Sequence, residues 1–187
     1  MLGERSLDTL RSDDVDIRHY NIFHTKANKQ LSSNLQNKVV LITGGAKRVG
    51  AAISRELHAH GASLMIHYNT SKQAAEALQA ELNFNRANSV SIIQGNLLDT
   101  DKLSNLISET TKQFGQLDIL INNASTYKPT PIGKINEENW QDLIGSNLKA
   151  PTFLSQAAAQ ALKKTHGCIV NITDMHVESP KKGYVVY

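Results

Sequence analysis

The sequence predicts an α/β fold with a parallel, doubly wound sheet. Short apolar, β-branched runs alternate with helix-period segments from Lys38 onward, the pattern of successive β-α-β units. The first run, Val39–Ile42, ends in Gly44-Gly45 and passes directly into a helical segment, the arrangement of strand, tight turn and helix N-terminus. The unusual polar residues fall just beyond the strands, where a doubly wound sheet carries its ligand crevice.

Taken in order, Val39–Ile42 reads as a buried strand and Val49, Ala52, Ile53 and Leu57 set the apolar face of the first helix. Ser63–Tyr68 is the second strand, followed by a helix over 71–82. Val90–Gln94 is the third, and Leu103, Leu106, Ile107 and Phe114 recur at helical spacing after it. The fourth strand covers 117–122. A loop with Pro129 and Pro131 leads to a long helix over 137–164, bent near Pro151, with Trp140 and Phe153 as packing residues. A fifth strand covers 168–173, with Cys168 as a small core residue, and 174–187 reads as a loop opening a new helix.

Residues 1–36 are polar, with Asp13, Asp14 and Asp16 close together, and read as a loosely ordered extension. Residues 37–187 form one domain, a length that supports a sizeable core. A net charge of +3 with no long basic run gives no footing for nucleic acid. One cysteine excludes an internal disulfide framework and fits a reducing compartment. Neither a membrane-length apolar run nor a signal-peptide core is present, so the expected location is cytoplasmic. His166 and His176 lack partners at metal-ligand spacing, and no metal is expected.

The turn Gly44–Gly50 carries the first chemistry. Glycines let backbone approach a diphosphate, and the N–H groups opening the helix point at its charge. Lys47 and Arg48 oppose the helix dipole at this end unless an anion is bound there. No acid ends the second strand, where a ribose diol would be held, and His67, Asn69, Thr70 and Ser71 are neutral donors instead. NADPH is therefore expected over NADH. Ser71 also sits where it would cap the next helix.

Thr43-Gly44-Gly45-Ala46-Lys47-Arg48-Val49-Gly50, Asn122-Asn123-Ala124-Ser125, Asn147 and a tyrosine after the fifth strand resemble the short-chain dehydrogenase/reductase family. Within it the pteridine reductases are most similar: arginine at the usual glycine position, the run His67-Tyr68-Asn69-Thr70-Ser71, the loop 123–131, and Asp174 in the serine position, thirteen residues before Tyr187. The resemblance covers about 38–187. It implies a Rossmann-like sheet, and cofactor contacts from Gly44, Lys47, Arg48, Val49, Gly50, His67, Tyr68, Asn69, Thr70, Ser71, Asn96, Leu97, Asn123, Ala124 and Ser125. Asn96 departs from the family's common aspartate. A pterin or folate substrate is implied at Arg48, Ser125, Tyr127, Asp174, Tyr184 and Tyr187, with Tyr127 stacking on the ring.

Asp174 and Tyr187 would manage the proton, and Asn147 would support a water-linked relay and a bulge in its helix. The family's lysine four residues past the tyrosine has no counterpart, because the sequence stops at Tyr187. The sheet is expected to lack its last strands and helices, leaving the fifth strand at an edge, and the chain as written is expected to be an impaired reductase. Without that cation the Tyr187 phenol is expected to titrate high. Full-length members are implied to be homo-oligomers. Two other readings stay open: a general carbonyl reductase of the acyl-carrier-protein ketoreductase kind, and a dinucleotide-binding fragment without turnover.

Overall fold

The chain, described from a computed structural model, is placed over residues 16–17 and 35–187. Its strands are β1 (Asp16–Ile17), β2 (Val39–Ile42), β3 (Ser63–Tyr68), β4 (Val90–Gln94), β5 (Ile119–Asn122) and β6 (Cys168–Asn171). Its helices are α1 (Arg48–Ala59), α2 (Lys72–Asn85), α3 (Leu103–Phe114), α4 (Glu137–Ile144) and α5 (Ala150–Thr165). The strands form one sheet in the order β1-β6-β5-β2-β3-β4, with every neighbouring pair parallel. This is the Rossmann-like arrangement that the alternating pattern predicts.

Strand residues alternate between two faces, and each face has its own core. Val40, Ile42, Leu64, Ile66 and Val90 pack with Ala51 of α1 and Ala75, Leu78 and Leu82 of α2. Leu41, Met65, Leu120 and Ile169 face the other way, against Leu103, Leu106 and Ile107 of α3 and Leu154, Ala158 and Leu162 of α5. Because β2 is covered on both faces, all four of its residues are buried, which explains its unbroken apolar run. Asp118 ties the strand starts together: it accepts from the Val39 amide at 2.8 Å and from Lys38 Nζ at 2.9 Å.

Several expectations are corrected. The buried face of α1 is Gly50, Ala51, Ser54 and His58, while Val49 is exposed and Ile53 and Leu57 pack only at the margin. Two polar residues can lie inward because each has a partner: Ser54 Oγ donates to Gly45 O, and His58 Nε2 pairs with Ser89 Oγ at 2.7 Å. The long helix is three pieces, α4, a π-turn over Gly145–Lys149, and α5. Its irregularity therefore precedes Pro151, which sits in the first turn of α5, where a missing N–H costs little. Trp140 and Phe153 are half-exposed rather than packed, and Cys168 is half-buried. After β6 the chain makes a 3-10 turn, Met175–Val177, and no α-helix follows before Tyr187.

At the outer side of β6, Asp16 and Ile17 pair with Cys168 and Ile169, so β6 is not left at an edge. The remainder of the expected extension, residues 1–15 and 18–34, lies outside the described residues. The folded unit begins before residue 37, because Leu35 packs on the core and its amide donates to His60 O at 2.9 Å.

Candidate active site

The strand order reverses at β2. The chain runs outward through β3 and β4, then returns to the other side of β2 as β5. Connections leaving in opposite directions open a crevice at the carboxyl ends of the two strands. A cavity of about 600 Å³ lies there, lined by Gly44, Ala46–Gly50, Tyr68–Ser71, Asn123–Ser125, Ile172–Asp174 and Tyr187. A second, of about 400 Å³, shares Ala124, Ser125, Asp174 and Tyr187 and extends to Asn147, Leu148 and Ser155.

The glycine turn is shaped by close backbone approach. Gly44 has φ +61°, and a Cβ on Gly50 would lie 2.2 Å from Gly44 O and 2.7 Å from Asn123 Nδ2. Only glycine fits either place. Arg48, where a third glycine is usual, has φ +49° and so carries the left-handed backbone that a glycine would adopt freely. It pays that strain while placing a cation on the cleft, together with exposed Lys47, the residue just before α1.

Neighbouring strands brace the turn. Thr43 Oγ1 accepts from the amides of Asn123 and Ala124, both at 3.0 Å. Asn123 Nδ2 donates back to Thr43 O at 2.9 Å and Gly44 O at 3.1 Å. His67 is the third brace, and here the expectation is corrected. Its Nδ1 accepts from the Gly44 amide at 3.2 Å and its Nε2 pairs with Gly95 O at 3.1 Å, so neither ring nitrogen is available to a ligand. Burial pushes its pKa down to about 4, which keeps the ring neutral with Nδ1 as acceptor.

Tyr68 at the end of β3 and Asn69, Thr70 and Ser71 beyond it all line the larger cavity. Ser71 makes no side-chain cap to α2, so its expected capping role is not realised. Leu97 is corrected to a core residue packed with Met65 and Leu106. Asn96 is likewise off the cavity wall, and its Oδ1 accepts from the Leu98 amide in a local turn.

Asp174 and Tyr187 meet at the junction of the two cavities. The Tyr187 hydroxyl donates to Asp174 Oδ2 at 2.8 Å, and Asp174 Oδ1 accepts from the His176 amide at 2.9 Å. That amide, then the phenol, hold the carboxyl below its ordinary range. Burial first, and the adjacent carboxylate second, push the phenol up to about 12. The direction is as expected, but its sources are burial and Asp174. The pair is thus an ionised carboxylate holding a fully protonated phenol.

Asn147, expected in a proton relay, acts here as a clamp. Its Oδ1 accepts from the Thr126 amide at 3.0 Å and its Nδ2 donates to Thr126 O at 2.9 Å, pinning the loop after β5 to the π-turn. Tyr127 and Tyr184, expected against substrate, line neither cavity. They stack on each other, centroids 4.5 Å apart at 13°, and Tyr127 abuts Tyr187 edge-on at 4.7 Å. Sequence reasoning missed Lys181, whose Nζ donates to the Tyr127 hydroxyl at 2.9 Å. The pair Lys181-Lys182 just before Tyr184 was the available signal. It missed Thr43 as a brace too. Among the described residues no group of three His, Cys, Asp or Glu could hold a metal, and no helix is long and apolar enough to cross a membrane.

A parallel, doubly wound sheet, a braced glycine turn at its switch point and a tyrosine–carboxylate pair across the crevice define a Rossmann-like α/β protein with a ligand crevice at that point. Residues 38–187 match the family model for short chain dehydrogenase, and the chain belongs to that family. It is 32% identical to the 3-oxoacyl-[acyl-carrier-protein] reductase FabG of Staphylococcus aureus, over 74% of this chain and 56% of that protein. It is 33% identical to pteridine reductase 1 of Leishmania tarentolae, over 80% of this chain and 65% of that protein. The short-chain dehydrogenase/reductase FrzI of Cladobotryum sp is 30% identical over 82% of this chain and 59% of its own length. The chain thus spans about three fifths of the curated relatives it matches.

Proposed function

We propose that the protein is an NADPH-dependent reductase of a dihydropterin or dihydrofolate. The observation that carries the reading is Asp174, a carboxylate in the place the family gives to serine, accepting the Tyr187 hydroxyl at 2.8 Å beside the glycine turn. A carboxylate suits a substrate whose ring nitrogen must be protonated, because it orients the donor and attracts the basic ring. Similarity to pteridine reductase 1 supports it.

The shape of the glycine turn supports a dinucleotide cofactor. The Gly44–Gly50 approach leaves no room for side chains, and the first amides of α1 lack partners within the helix. Gly44, Lys47, Arg48, Val49 and Gly50 would hold the diphosphate side, with Tyr68, Asn69, Thr70 and Ser71 about the 2′-phosphate and Asn123, Ala124 and Ser125 along the ribose. When bound, NADPH supplies a hydride. Tyr187 holds the proton that the reduced ring takes up, and Asp174 keeps the phenol turned toward it. Asn147, through Thr126, keeps the substrate loop in register.

The second reading, reduction of a 3-oxoacyl thioester, is favoured by the identity to FabG. NADPH oxidation by the natural protein with dihydrobiopterin, dihydrofolate and a 3-oxoacyl thioester in parallel separates the two. Turnover confined to the pterins is expected. Turnover of the thioester alone would replace this proposal with the second.

A further inference from the structure

We propose that Lys181 is a positioning residue: its ammonium tethers the Tyr127 phenol and holds that ring stacked on Tyr184 and edge-on to Tyr187, the residue that lines both cavities. The functional part of this inference rests on the pterin reading above.

Tyr127 and Lys181 are on different segments, and backbone pairing brings these together. Thr130 is fully buried. Its amide donates to Gly183 O at 2.7 Å, and its Oγ1 accepts from the Val186 amide at 3.1 Å. The loop after β5 and the segment 180–187 therefore run side by side, with Thr130 and Tyr184 bridged in parallel. Across this seam Lys181 Nζ reaches the Tyr127 hydroxyl at 2.9 Å and lies 4.6 Å from the Tyr184 ring centroid and 5.5 Å from that of Tyr127. One ammonium thus spans the two stacked rings and bonds to one of them. Lys181 is solvent-exposed, and its ammonium is set over two aromatic faces while bonded to one phenol.

The groups facing Tyr127 are Lys181, Tyr184, Tyr187, Asp174 and His176, whose ring is near-parallel to it at 6.5 Å. Lys128, its neighbour in sequence, turns away to Asp142 at 2.7 Å. Lys181 is therefore the cation on this phenol, and no carboxylate pairs with it among the ion pairs of the described residues. The hydrogen bond from Lys181 holds the Tyr127 hydroxyl below its ordinary range, whereas Tyr184 and Tyr187 are held above theirs.

The test uses Lys181→Met, Lys181→Arg and Tyr127→Phe in the full chain. Phenolate absorbance is followed through an alkaline titration of the five tyrosines. Wild type should show an early phase of phenol ionisation that Tyr127→Phe removes. Lys181→Met should move that phase to higher pH, and Lys181→Arg should keep it. A phase that does not move in Lys181→Met, or is absent from wild type, overturns the tether. In parallel, dihydrobiopterin binding is measured with NADP⁺ present. Lys181→Met should weaken it about two- to fivefold, the scale of an exposed cation–aromatic contact, while NADPH affinity is unchanged and Lys181→Arg matches wild type. Unchanged pterin affinity alongside a moved phase overturns the positioning role. If wild type binds no dihydrobiopterin, the pterin reading falls, and the titration by itself supports or overturns the tether.

Discussion

The Tyr187 hydroxyl donates to Asp174 Oδ2 at 2.8 Å while the other oxygen of that carboxylate accepts from the His176 amide at 2.9 Å. Two donors keep Asp174 ionised, and burial with that charge keeps the Tyr187 proton in place up to about pH 12. Asp174→Asn removes the charge and leaves the burial. Alkaline titration of this variant should show the slowest phenol moving down toward the ordinary value near 10. An unmoved phenol would assign the whole rise to burial.

His67 sets an acid limit on stability. Its native pKa, about 4, lies below the unfolded value of roughly 6.5, so the unfolded state binds more protons between them. Stability is complete above about pH 6.5 and falls as pH drops toward 4, by about 3 kcal/mol from this group. His58, lowered first by burial and then by Arg86, acts in the same direction. Chemical denaturation across this range should show a shallower slope for His67→Gln than for wild type. Equal slopes would remove His67 from the account.

Arg48→Gly should separate stability from binding. The left-handed φ of +49° costs a non-glycine residue about 1 kcal/mol, which glycine recovers in part because it is also freer when unfolded. Thermal unfolding should be unchanged or slightly later. NADPH affinity should fall about tenfold with loss of the cation on the cleft. A destabilised variant would mean that the Arg48 side chain contributes more to the fold than its backbone costs.

Thr70 tests cofactor choice. It lines the cavity beyond β3 with Tyr68, Asn69 and Ser71, where no carboxylate would repel a 2′-phosphate. Thr70→Asp should weaken NADPH by about tenfold or more and leave NADH little changed, like charges at an ion-pair distance costing on the order of 1–4 kcal/mol. Direct titration with each nucleotide checks this, and parallel losses for both would argue against a phosphate at this rim.

What the sequence by itself determined is what local pattern and chain order govern. Alternation of short β-branched runs with helix-period segments allows few topologies, and the parallel sheet with its crevice beyond β2 and β5 follows. The need for glycine at Gly44 and Gly50 was legible for the same reason, since only the backbone is involved. The pairing of Asp174 with Tyr187 was legible through resemblance, and the structure gives it a hydrogen bond. Tertiary structure decided which polar groups are already spent. His67 has a ring that suits a ligand on paper, and both of its nitrogens are taken by backbone instead, at Gly44 and Gly95. The face of α1 rotated because Ser54 and His58 found buried partners at Gly45 and Ser89, which no periodicity of apolar residues records. Lys181 meets Tyr127 across 54 positions of chain, through the buried Thr130 seam. Such contacts depend on loop closure and strand register, so their energies appear only once the chain has folded.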